Sequence, residues 1–598
     1  MSASRFRLCF SVFELVGIVS ALLPRALGAE QAADLRARHD AGQTILTWKE
    51  VNPPVTEDSV SVPDLLKTRR ELDKGAKVRY RIYRSSKPIT SLDGLQPIAE
   101  LPPLTCWNTD FYGGESKPEL KALRYVVEEG KGPVPPGTGI CAHNPKEAGE
   151  AYYAVTIAVG GEENKSLGPA NALQTPLRES VGQGVPVLQR VEPRKNFQYV
   201  DNPTLHYYVR WESPPNCSEM GKPYDYVVAI PPKLAEPAPV GIHLHCWGGS
   251  LNGGYGWWYN AEKGALLVAS NQIPYDWWTG YHELYWKGPR KKEDWQKGVV
   301  HPYSQTRLLS FLDWVATKWE VDLRRTFVGG SSMGGSGAPM FAIRHPERIA
   351  WAIAWVGVHT PEKSPQFKGS YAGVYGEPDW GVKFEDGTPV WDYFNDVWYL
   401  RKYPEKEIGF ITFSNGRNDG AIGWPQAVEF YRALQETRRP HLFTWGMGGH
   451  GERAHMPVSL DERVLPIDIR TDQTLPAFSK CTLDDNVGSG DPKDGAPRGQ
   501  VNAYLFWETR DIVDEADRWE MTVGLIPKAP KDDCTVSLTP RRCQKFRPKA
   551  GEKVKWTNSS LGDGKEVQSG EAGADQLGLV ILEKLAIGKA KNRVRITR

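Results

Sequence analysis

The chain has 598 residues, of which 40% are hydrophobic and 24% charged, so it can build several ordinary globular cores. At about 100–200 residues per domain, this length predicts about three or four domains. Its 74 basic and 72 acidic residues give a formal net charge of +2 without a long run of either sign. Nothing in this charge balance predicts binding to nucleic acid or adsorption to a membrane, and we therefore expect no nucleic-acid partner.

The first 29 residues have the pattern of a cleaved export signal. Arg5 and Arg7 precede an apolar stretch, and the small residues of segment 26–29 offer a cleavage site. Glu14 interrupts the apolar stretch, so an uncleaved membrane anchor is the alternative. No later segment is long and apolar enough to span a bilayer. We expect residues 1–29 to be a signal peptide, the protein to be secreted or periplasmic, and no stable membrane insertion after cleavage.

Residues 30–178 are predicted to form an all-β domain. The segments rich in β-branched and aromatic residues and bounded by Gly, Pro and Asn are 44–48, 78–83 and 152–159. Residues 151–171 contain Tyr-Tyr-Ala-Val-Thr and then Gly-Gly-Glu-Glu-Asn, and they resemble the last hairpin of a fibronectin type III domain. Trp48 and the run Tyr-Arg-Ile-Tyr-Arg-Ser match its earlier strands. Because the stretch is longer than such domains usually are, residues 103–150 are expected to be an insertion.

A linker at 179–203 leads into a predicted α/β domain at 204–465. Predicted strands alternate with helical segments along most of this domain, which favours a mostly parallel sheet with helices on both faces. Residues 466–598 are β-rich again. We expect them to form a small β-sandwich that packs on the α/β domain.

Segment 326–337 predicts a strand, a sharp turn and a helix. Within it, only Ser332 has glycine two positions before and two after, at Gly330 and Gly334. Such a turn exposes a serine hydroxyl at the tip of a sheet, where no side chain fits on either flank. Chance gives roughly 0.3 such pentapeptides in a chain of this composition, so a glycine-rich helix start without catalytic function is the alternative. The helical spacing of residues 303–319 before the strand favours the nucleophile.

Residues 319–335 read Trp-Glu-Val-Asp-Leu-Arg-Arg-Thr-Phe-Val-Gly-Gly-Ser-Ser-Met-Gly-Gly. This run resembles the nucleophile motif of the α/β-hydrolase superfamily, in its secreted serine esterase branch of feruloyl and acetylxylan esterases, polyhydroxybutyrate depolymerases and esterase D relatives. The resemblance covers residues 200–465 and implies an α/β hydrolase, here flanked by N-terminal and C-terminal all-β sandwich-like domains. It also implies a catalytic triad in the chain order Ser, Asp or Glu, then His.

Asp419 and His450 are the candidates for the acid and the base. Each lies in a loop that follows a late predicted strand, which is where the resemblance places these two residues. The base must reach the serine hydroxyl, and the carboxylate must orient the imidazole and balance its charge. The alternatives are a solvated turn at Asp419, with Asp392 or Asp396 as the acid, and His455 as the base.

The oxyanion hole requires two backbone N–H groups that point at the developing charge. The resemblance assigns one to Met333, which follows the nucleophile. The second would come from Cys246 or Trp247, in the loop after the strand that ends near residue 245. Members of the family usually carry glycine at the position of Cys246, so the choice between the two stays open. We expect Cys246 to be buried beside the site and unpaired.

Tryptophan is concentrated in the loops that follow this strand. The candidate substrate-binding residues are Trp257, Trp258, Trp277 and Trp278. Exposed indole faces would stack on sugar rings or on an aromatic acyl group. Burial in the core is an equally good interpretation of the same residues.

The sequence offers no metal or cofactor site that we would predict. Residues 484–495 are rich in Asp and Asn, as calcium loops are, but no bidentate Glu follows at the EF-hand position. A solvated loop is the better interpretation of this composition. We expect neither a cofactor nor a metal.

Seven cysteines follow residue 29, so at least one is free or pairs with another chain. In an oxidising compartment, the plausible disulfides are Cys106 with Cys141 and Cys534 with Cys543.

These observations predict a secreted serine hydrolase that cleaves carboxylic esters through an acyl-enzyme, with acyl groups on polysaccharide as candidate substrates. A serine peptidase of the prolyl-oligopeptidase kind is the first alternative, although the N-terminal region lacks propeller-like repeats. A non-catalytic, carbohydrate-binding surface protein is the second.

Overall fold

The computed structural model describes residues 30–75, 77–113, 117–194, 202–251, 264–451 and 468–598. The predicted signal peptide, Trp257, Trp258 and His455 lie outside the described residues. Within the described part of the chain, no helix is long and apolar enough to cross a membrane.

Within its described residues, the N-terminal region contains a three-stranded sheet, a five-stranded sheet, a small two-stranded sheet formed by the segments 107–108 and 123–124, and one α-helix. Its elements are β1 (Ala33–Asp40), β2 (Gln43–Lys49), α1 (Val62–Lys74), β3 (Val78–Ser85), β4 (Ala99–Leu101), β5 (Trp107–Asn108), β6 (Leu123–Arg124), β7 (Thr138–His143), β8 (Gly149–Val159), β9 (Glu162–Glu163) and β10 (Leu177–Glu179). The sheet orders are β1-β2-β7 and β10-β8-β3-β4, with β9 paired to β8. Trp48 of β2 and Tyr80 of β3 lie 5.5 Å apart in a core that both sheets share.

The central region alternates strands and helices. Its elements are β11 (Val187–Pro193), β12 (Thr204–Glu212), β13 (Lys222–Ile230), β14 (Ala238–Leu244), β15 (Leu266–Ser270), β16 (Tyr281–His282), α2 (Lys292–Trp295), β17 (Val299–His301), α3 (Tyr303–Lys318), β18 (Val321–Ser331), α4 (Met333–Arg344), β19 (Trp351–Trp355), α5 (Lys368–Tyr375), β20 (Lys383–Phe384), α6 (Val390–Tyr393), α7 (Asp396–Lys402), β21 (Phe410–Gly416), α8 (Trp424–Glu436) and β22 (His441–Gly446).

The C-terminal region consists almost entirely of strands. They are β23 (Leu475–Ser479), β24 (Gly499–Val501), β25 (Leu505–Trp507), β26 (Val513–Asp514), β27 (Arg518–Leu525), β28 (Asp533–Arg541), β29 (Lys553–Ser560), β30 (Glu566–Gly573), β31 (Leu582–Gly588) and β32 (Asn592–Thr597). Most of them form two sheets, of order β23-β28-β31 and β25-β27-β32-β29-β30.

A ten-stranded sheet of order β11-β12-β13-β15-β14-β18-β19-β21-β22-β24 organises the centre of the molecule. The six strands from β15 to β22 in this order are parallel to one another, which confirms the predicted mostly parallel sheet. The outer strands are antiparallel. Strand β11 lies in the predicted linker 179–203 and β24 lies beyond the predicted boundary at 465. Strand pairing therefore extends the central sheet across both predicted boundaries.

The two faces of this sheet are covered by different elements. Side chains such as Val328 face a core built with α3, α4 and α8. Neighbouring side chains such as Phe327 alternate to the opposite face and pack with the C-terminal strands. There, Phe410 and Trp507 have ring centroids 5.2 Å apart. Within the described residues, the second face is therefore covered by strands, which differs from the expected helices on both faces.

The predicted insertion at 103–150 joins the N-terminal region to the sheet. Tyr125 packs against Trp211 of β12, with ring centroids 5.6 Å apart, in a small core that includes α1. Asn108 donates from Nδ2 to Oδ1 of Asp225, on β13, over 2.7 Å. The N-terminal region is thereby attached along the outer strands of the sheet.

All seven described cysteines are free thiols, and the two predicted disulfides are wrong. Cys141 faces one side of β7, whereas Cys106 packs with Ile140 on the other side, so the strand lies between them. Cys534 lies near the start of β28 and Cys543 beyond its end. At about 3.3 Å per residue the two are more than about 20 Å apart. A disulfide needs Cα atoms within about 7 Å.

Candidate active site

Ser332 occupies a strained turn between a strand and a helix. It follows the last residue of β18, precedes the first residue of α4, and has φ 56° and ψ −115°. Few L-residues adopt this backbone conformation, and such strain is typical of functional sites. A Cβ at Gly330 would lie 2.4 Å from the Gly334 carbonyl carbon, and one at Gly334 would lie 2.0 Å from the Leu244 carbonyl oxygen. These contacts confirm that only glycine fits on either flank of Ser332.

The structure brings Ser332, His450 and Asp419 into one hydrogen-bonded chain. The Oγ of Ser332 lies 2.9 Å from Nε2 of His450, and Nδ1 of His450 lies 2.9 Å from Oδ2 of Asp419. A carboxylate can only accept, so Nδ1 carries the proton and donates it to Asp419. Nε2 therefore keeps a lone pair that faces the serine hydroxyl. This is the arrangement that removes the proton from an attacking serine.

Asp419 is held by the turn in which it lies. Its Oδ1 accepts hydrogen bonds from the backbone N–H groups of Ala421 and Ile422, each over 3.0 Å. These bonds leave Oδ2 for His450. Asp419 is only 3% exposed, which rules out the alternative of a solvated turn.

The acid loop and the histidine loop are tied together by backbone contacts. The N–H groups of Arg417 and Asn418 donate to the carbonyls of Gly446 and Gly448, over 2.9 and 3.3 Å. Nδ2 of Asn418 also donates to the Met447 carbonyl over 2.6 Å. A Cβ at Gly416 would lie 2.1 Å from the Gly448 carbonyl oxygen, so this approach requires glycine. The Asp419–His450 distance thus depends on contacts made one to three residues before Asp419 and two to four residues before His450.

The other acidic candidates lie elsewhere. Asp396 is fully buried, with a carboxylate oxygen 3.6 Å from Nδ1 of His359 and the other 3.6 Å from Nη1 of Arg344. Burial raises the pKa of Asp392, and the nearby Glu362 adds to this effect. Neither carboxylate forms a hydrogen bond or an ion pair with His450, whose acidic partner is Asp419.

One oxyanion-hole donor is available where it is predicted. Met333 is fully buried at the first position of α4, and its N–H has no hydrogen-bond acceptor among the described residues. The first N–H groups of a helix have no partner within the helix and carry partial positive charge, which favours a developing oxyanion. Cys246 and Trp247 lie in the neighbouring loop after β14, and both are exposed. The expected burial of Cys246 is therefore wrong, because this loop faces solvent.

His245 holds the start of that loop. Its Nδ1 donates to the Cys246 carbonyl over 2.8 Å, and its Nε2 accepts from the Gln272 N–H over 3.1 Å. Burial lowers the pKa of His245 to about 4, so the ring is neutral, as this bonding pattern requires. Nε1 of Trp278 donates to the His245 carbonyl over 3.0 Å.

The prediction of exposed indole faces at Trp277 and Trp278 is wrong. Both side chains are fully buried, and both residues have φ near 61°. The buried carboxyl group of Asp276 accepts a hydrogen bond from the Trp278 N–H over 3.0 Å, which helps to hold this unusual turn. Trp277 stacks on Tyr371, with ring centroids 4.3 Å apart. Trp278 instead supports the candidate oxyanion loop through His245.

Among the described residues near the site, Trp247 has an exposed aromatic side chain, which is 42% exposed. Its ring centroid lies 4.9 Å from that of Tyr275 and 5.7 Å from that of Trp277. Trp277 contacts Phe367, whose ring lies 6.1 Å from that of His450. These rings form an aromatic wall that leads from solvent to the base. Sequence reasoning missed Phe367, since this residue belongs to no motif.

No protein-family model and no curated protein matches the chain. Solved structures to which the chain is similar include an S-formylglutathione hydrolase from Agrobacterium tumefaciens, at 15% identity over 46% of this chain and 97% of that chain, with a TM-score of 0.32. The fluorophosphonate-binding serine hydrolase F of Staphylococcus aureus is 16% identical over 42% of this chain and 92% of its own, with a TM-score of 0.30. Dipeptidyl peptidase 4 of Porphyromonas gingivalis is 12% identical over 55% of this chain and 45% of its own, with a TM-score of 0.30. Similarities of this size do not bear on the activity of this chain.

Proposed function

We propose that the protein is a serine hydrolase of the α/β-hydrolase superfamily that cleaves carboxylic esters through an acyl-enzyme. The observation that carries the proposal is the hydrogen-bonded chain from Ser332 through His450 to Asp419, which starts on a strained turn between a parallel strand and a helix. The unpartnered N–H of Met333 beside the serine adds a donor for the oxyanion. An intact triad also argues against the non-catalytic alternative.

The mechanism follows from the positions of these atoms. Oγ of Ser332 attacks the carbonyl carbon of the ester while Nε2 of His450 takes its proton, and Asp419 stabilises the resulting imidazolium. The carbonyl oxygen becomes the oxyanion and accepts from the Met333 N–H. The C–O bond to the alcohol then breaks, and His450 returns the proton to the departing alkoxide. Water repeats the same steps on the acyl-enzyme, which releases the acid and restores Ser332.

Labelling with a fluorophosphonate probe, followed by peptide mapping, tests this function. We expect one stoichiometric adduct on Ser332, which is lost in Ser332→Ala and strongly slowed in His450→Ala. Ser331→Ala is the matched control, because the neighbouring hydroxyl belongs to the end of β18 and should leave labelling unchanged. Folded protein without an adduct at Ser332 would contradict the proposal.

Ester specificity is tested separately from the hydrolase mechanism. An aryl ester and the matching anilide are compared by kcat/KM, with Ser332→Ala as the blank. We expect the ester to be the better substrate by orders of magnitude. An anilide hydrolysed as fast as the ester would support the peptidase alternative and leave the triad in place.

The finer proposal is an ester substrate carried on polysaccharide. Its support is the aromatic wall of Trp247, Tyr275, Trp277 and Phe367, of which Trp247 presents a face to solvent. Aromatic faces of this kind stack on sugar rings and on aromatic acyl groups. Activity on a polysaccharide ester is measured as the release of acetate or of an aromatic acid from acylated xylan. Hydrolysis of soluble aryl esters with no acid released from the polymer would contradict it.

We also propose that the protein is exported and carries a fibronectin type III-like N-terminal domain. The support is the charged, apolar and small-residue pattern of residues 1–29 and the hairpin motif of residues 151–171. N-terminal sequencing of protein from the native host should begin at residue 30. An intact N-terminus in the cell extract would contradict export.

A further inference from the structure

Arg417 connects the acid loop to the C-terminal region. It lies two residues before Asp419 and is 2% exposed. Its Nη2 donates to the carbonyls of Pro492 over 2.7 Å and of Asp491 over 3.4 Å, and also to that of Asp494. Its Nη1 donates to the Ala496 carbonyl. One buried guanidinium is thus surrounded by four carbonyls of the segment 491–496.

The segment 491–496 is itself firmly placed. The Ala496 N–H donates to the Asn486 carbonyl over 2.8 Å, and the Ala496 carbonyl also accepts from Nε1 of Trp445 over 2.8 Å. Trp445 belongs to β22, and β24, which follows the segment, pairs with β22 in the central sheet. The Asp494 carboxylate accepts the Ser489 N–H, so it organises the loop from inside. The acidic stretch 484–495, which the sequence predicts to be a solvated loop, is therefore a loop braced by internal hydrogen bonds.

A buried guanidinium cannot move away from these acceptors. An unpaired charge in a protein interior is strongly destabilising, and hydrogen bonds to a charged donor are about twice as strong as neutral ones. The four carbonyls consequently determine where Arg417 lies. Its own N–H bonds to the Gly446 carbonyl, which begins the histidine loop. Arg417 and its four carbonyl acceptors, which we call the clamp, are thus connected to both the loop that carries the acid and the loop that carries the base.

We propose that Arg417 is a positioning residue for Asp419, and that segment 491–496 is a working part of the active site rather than of an accessory domain. The inference rests on the proposed function, since it requires Asp419 to act through His450. The guanidinium, hydrogen-bonded to backbone carbonyls and 5.5 Å from the centroid of the Trp424 ring, holds the acid loop at the distance at which Oδ2 of Asp419 reaches Nδ1 of His450. It touches neither substrate nor reacting atoms.

Arg417→Lys tests the proposal, because an ammonium keeps the charge but cannot bond to four carbonyls in one plane. We expect kcat on an aryl ester to fall by about 10- to 100-fold, the effect of a displacement of about 1 Å, while KM changes little. The rate of fluorophosphonate labelling at Ser332 should fall in parallel. Arg432→Ala is the matched control. Arg432 on α8 donates to the carbonyl of Gly488, in the same acidic stretch, over 3.0 Å and forms no hydrogen bond with the acid loop among the described residues, so its loss should leave kcat unchanged.

Chemical rescue separates positioning from folding. In Arg417→Ala, guanidinium ion at low millimolar concentration should occupy the vacated clamp and restore part of kcat, whereas urea at the same concentration should not. Wild-type protein that fails to label at Ser332 refutes the proposed function itself. Normal labelling together with unchanged kcat in Arg417→Lys refutes only the positioning role. If neither Arg417 variant melts cooperatively, Arg417 is a folding residue and the inference is overturned.

Discussion

Replacement of Gly416 by alanine adds one methyl group between the acid loop and the histidine loop. The new Cβ would lie 2.1 Å from the Gly448 carbonyl oxygen and 2.9 Å from its carbonyl carbon. Favourable contacts between non-bonded heavy atoms begin at about 3.5 Å, and a strained contact of about 3.2 Å is the least that the site could accept. The two loops must therefore separate by roughly 1 Å. Both obstructing atoms are backbone, so no side-chain rotation relieves the contact.

This separation acts directly on the triad. The hydrogen bond from Nδ1 of His450 to Oδ2 of Asp419 is 2.9 Å long, and an increase of roughly 1 Å would carry it beyond hydrogen-bond range. A misplacement of about 1 Å costs on the order of 10²-fold in rate, or about 2.7 kcal/mol in the activation free energy. We expect kcat on an aryl ester to fall by about 100-fold in Gly416→Ala. The upper limit of the fall is the roughly 10⁴-fold loss expected when the acid no longer orients the base at all.

Gly420→Ala is the control for this substitution. Gly420 belongs to the same loop, one residue after Asp419, and a Cβ there meets no atom within 4 Å. Both variants are measured for kcat, KM and thermal melting. If both melt cooperatively and Gly416→Ala keeps a kcat within about threefold of the control, the contact with Gly448 does not determine the triad distance.

Three further predictions concern the rest of the molecule. Burial raises the pKa of Asp276 from 3.8 to about 7. The folded protein therefore keeps this proton up to about pH 7, whereas the unfolded chain releases it near pH 4. The stability due to Asp276 is consequently lost as the pH rises between these two values. The free energy of unfolding is measured by urea denaturation at pH 5 and pH 8 for the wild type and for Asp276→Asn. The wild type should lose roughly 2–3 kcal/mol more than the variant over this range, because the variant has no proton to release. Equal losses in the two proteins would contradict the burial of a neutral carboxyl. With a thiol reagent, the exposed Cys246 should react quickly in the native protein and the buried thiols only after denaturation; a protected Cys246 would contradict its exposure. Protein truncated after residue 467 should be insoluble, because the truncation exposes the sheet face that the C-terminal strands cover. Burial of each large apolar side chain on this face, such as Phe410, contributes about 1.5–3 kcal/mol to the free energy of unfolding. A soluble product that melts cooperatively would refute the shared core.

The sequence alone determined the nucleophile turn, because its requirements are local. Two glycines two positions from Ser332, a preceding strand and a following helix all lie within a dozen residues, and backbone sterics permit few other arrangements. The loops that carry Asp419 and His450 were also predictable, since each follows a strand in a fixed chain order. That the three side chains meet is a property of the folded sheet, in which β18, β21 and β22 end at the same edge.

Tertiary structure decided the features that depend on what lies across from a residue. Whether Trp277 is a core residue or an exposed platform depends on the turn that buries it against Tyr371, and neighbouring sequence does not encode that partner. The domain boundaries shifted because β11 and β24 pair with strands on the other side of each predicted boundary. Arg417 belongs to no motif, and the four carbonyls that accept its hydrogen bonds lie 74 to 79 residues away along the chain. The spacing of neighbouring residues thus specifies turns and the periodicity of helices and strands. Pairing between strands that are distant in sequence determines which side chains are buried, and burial determines which of them can serve the active site.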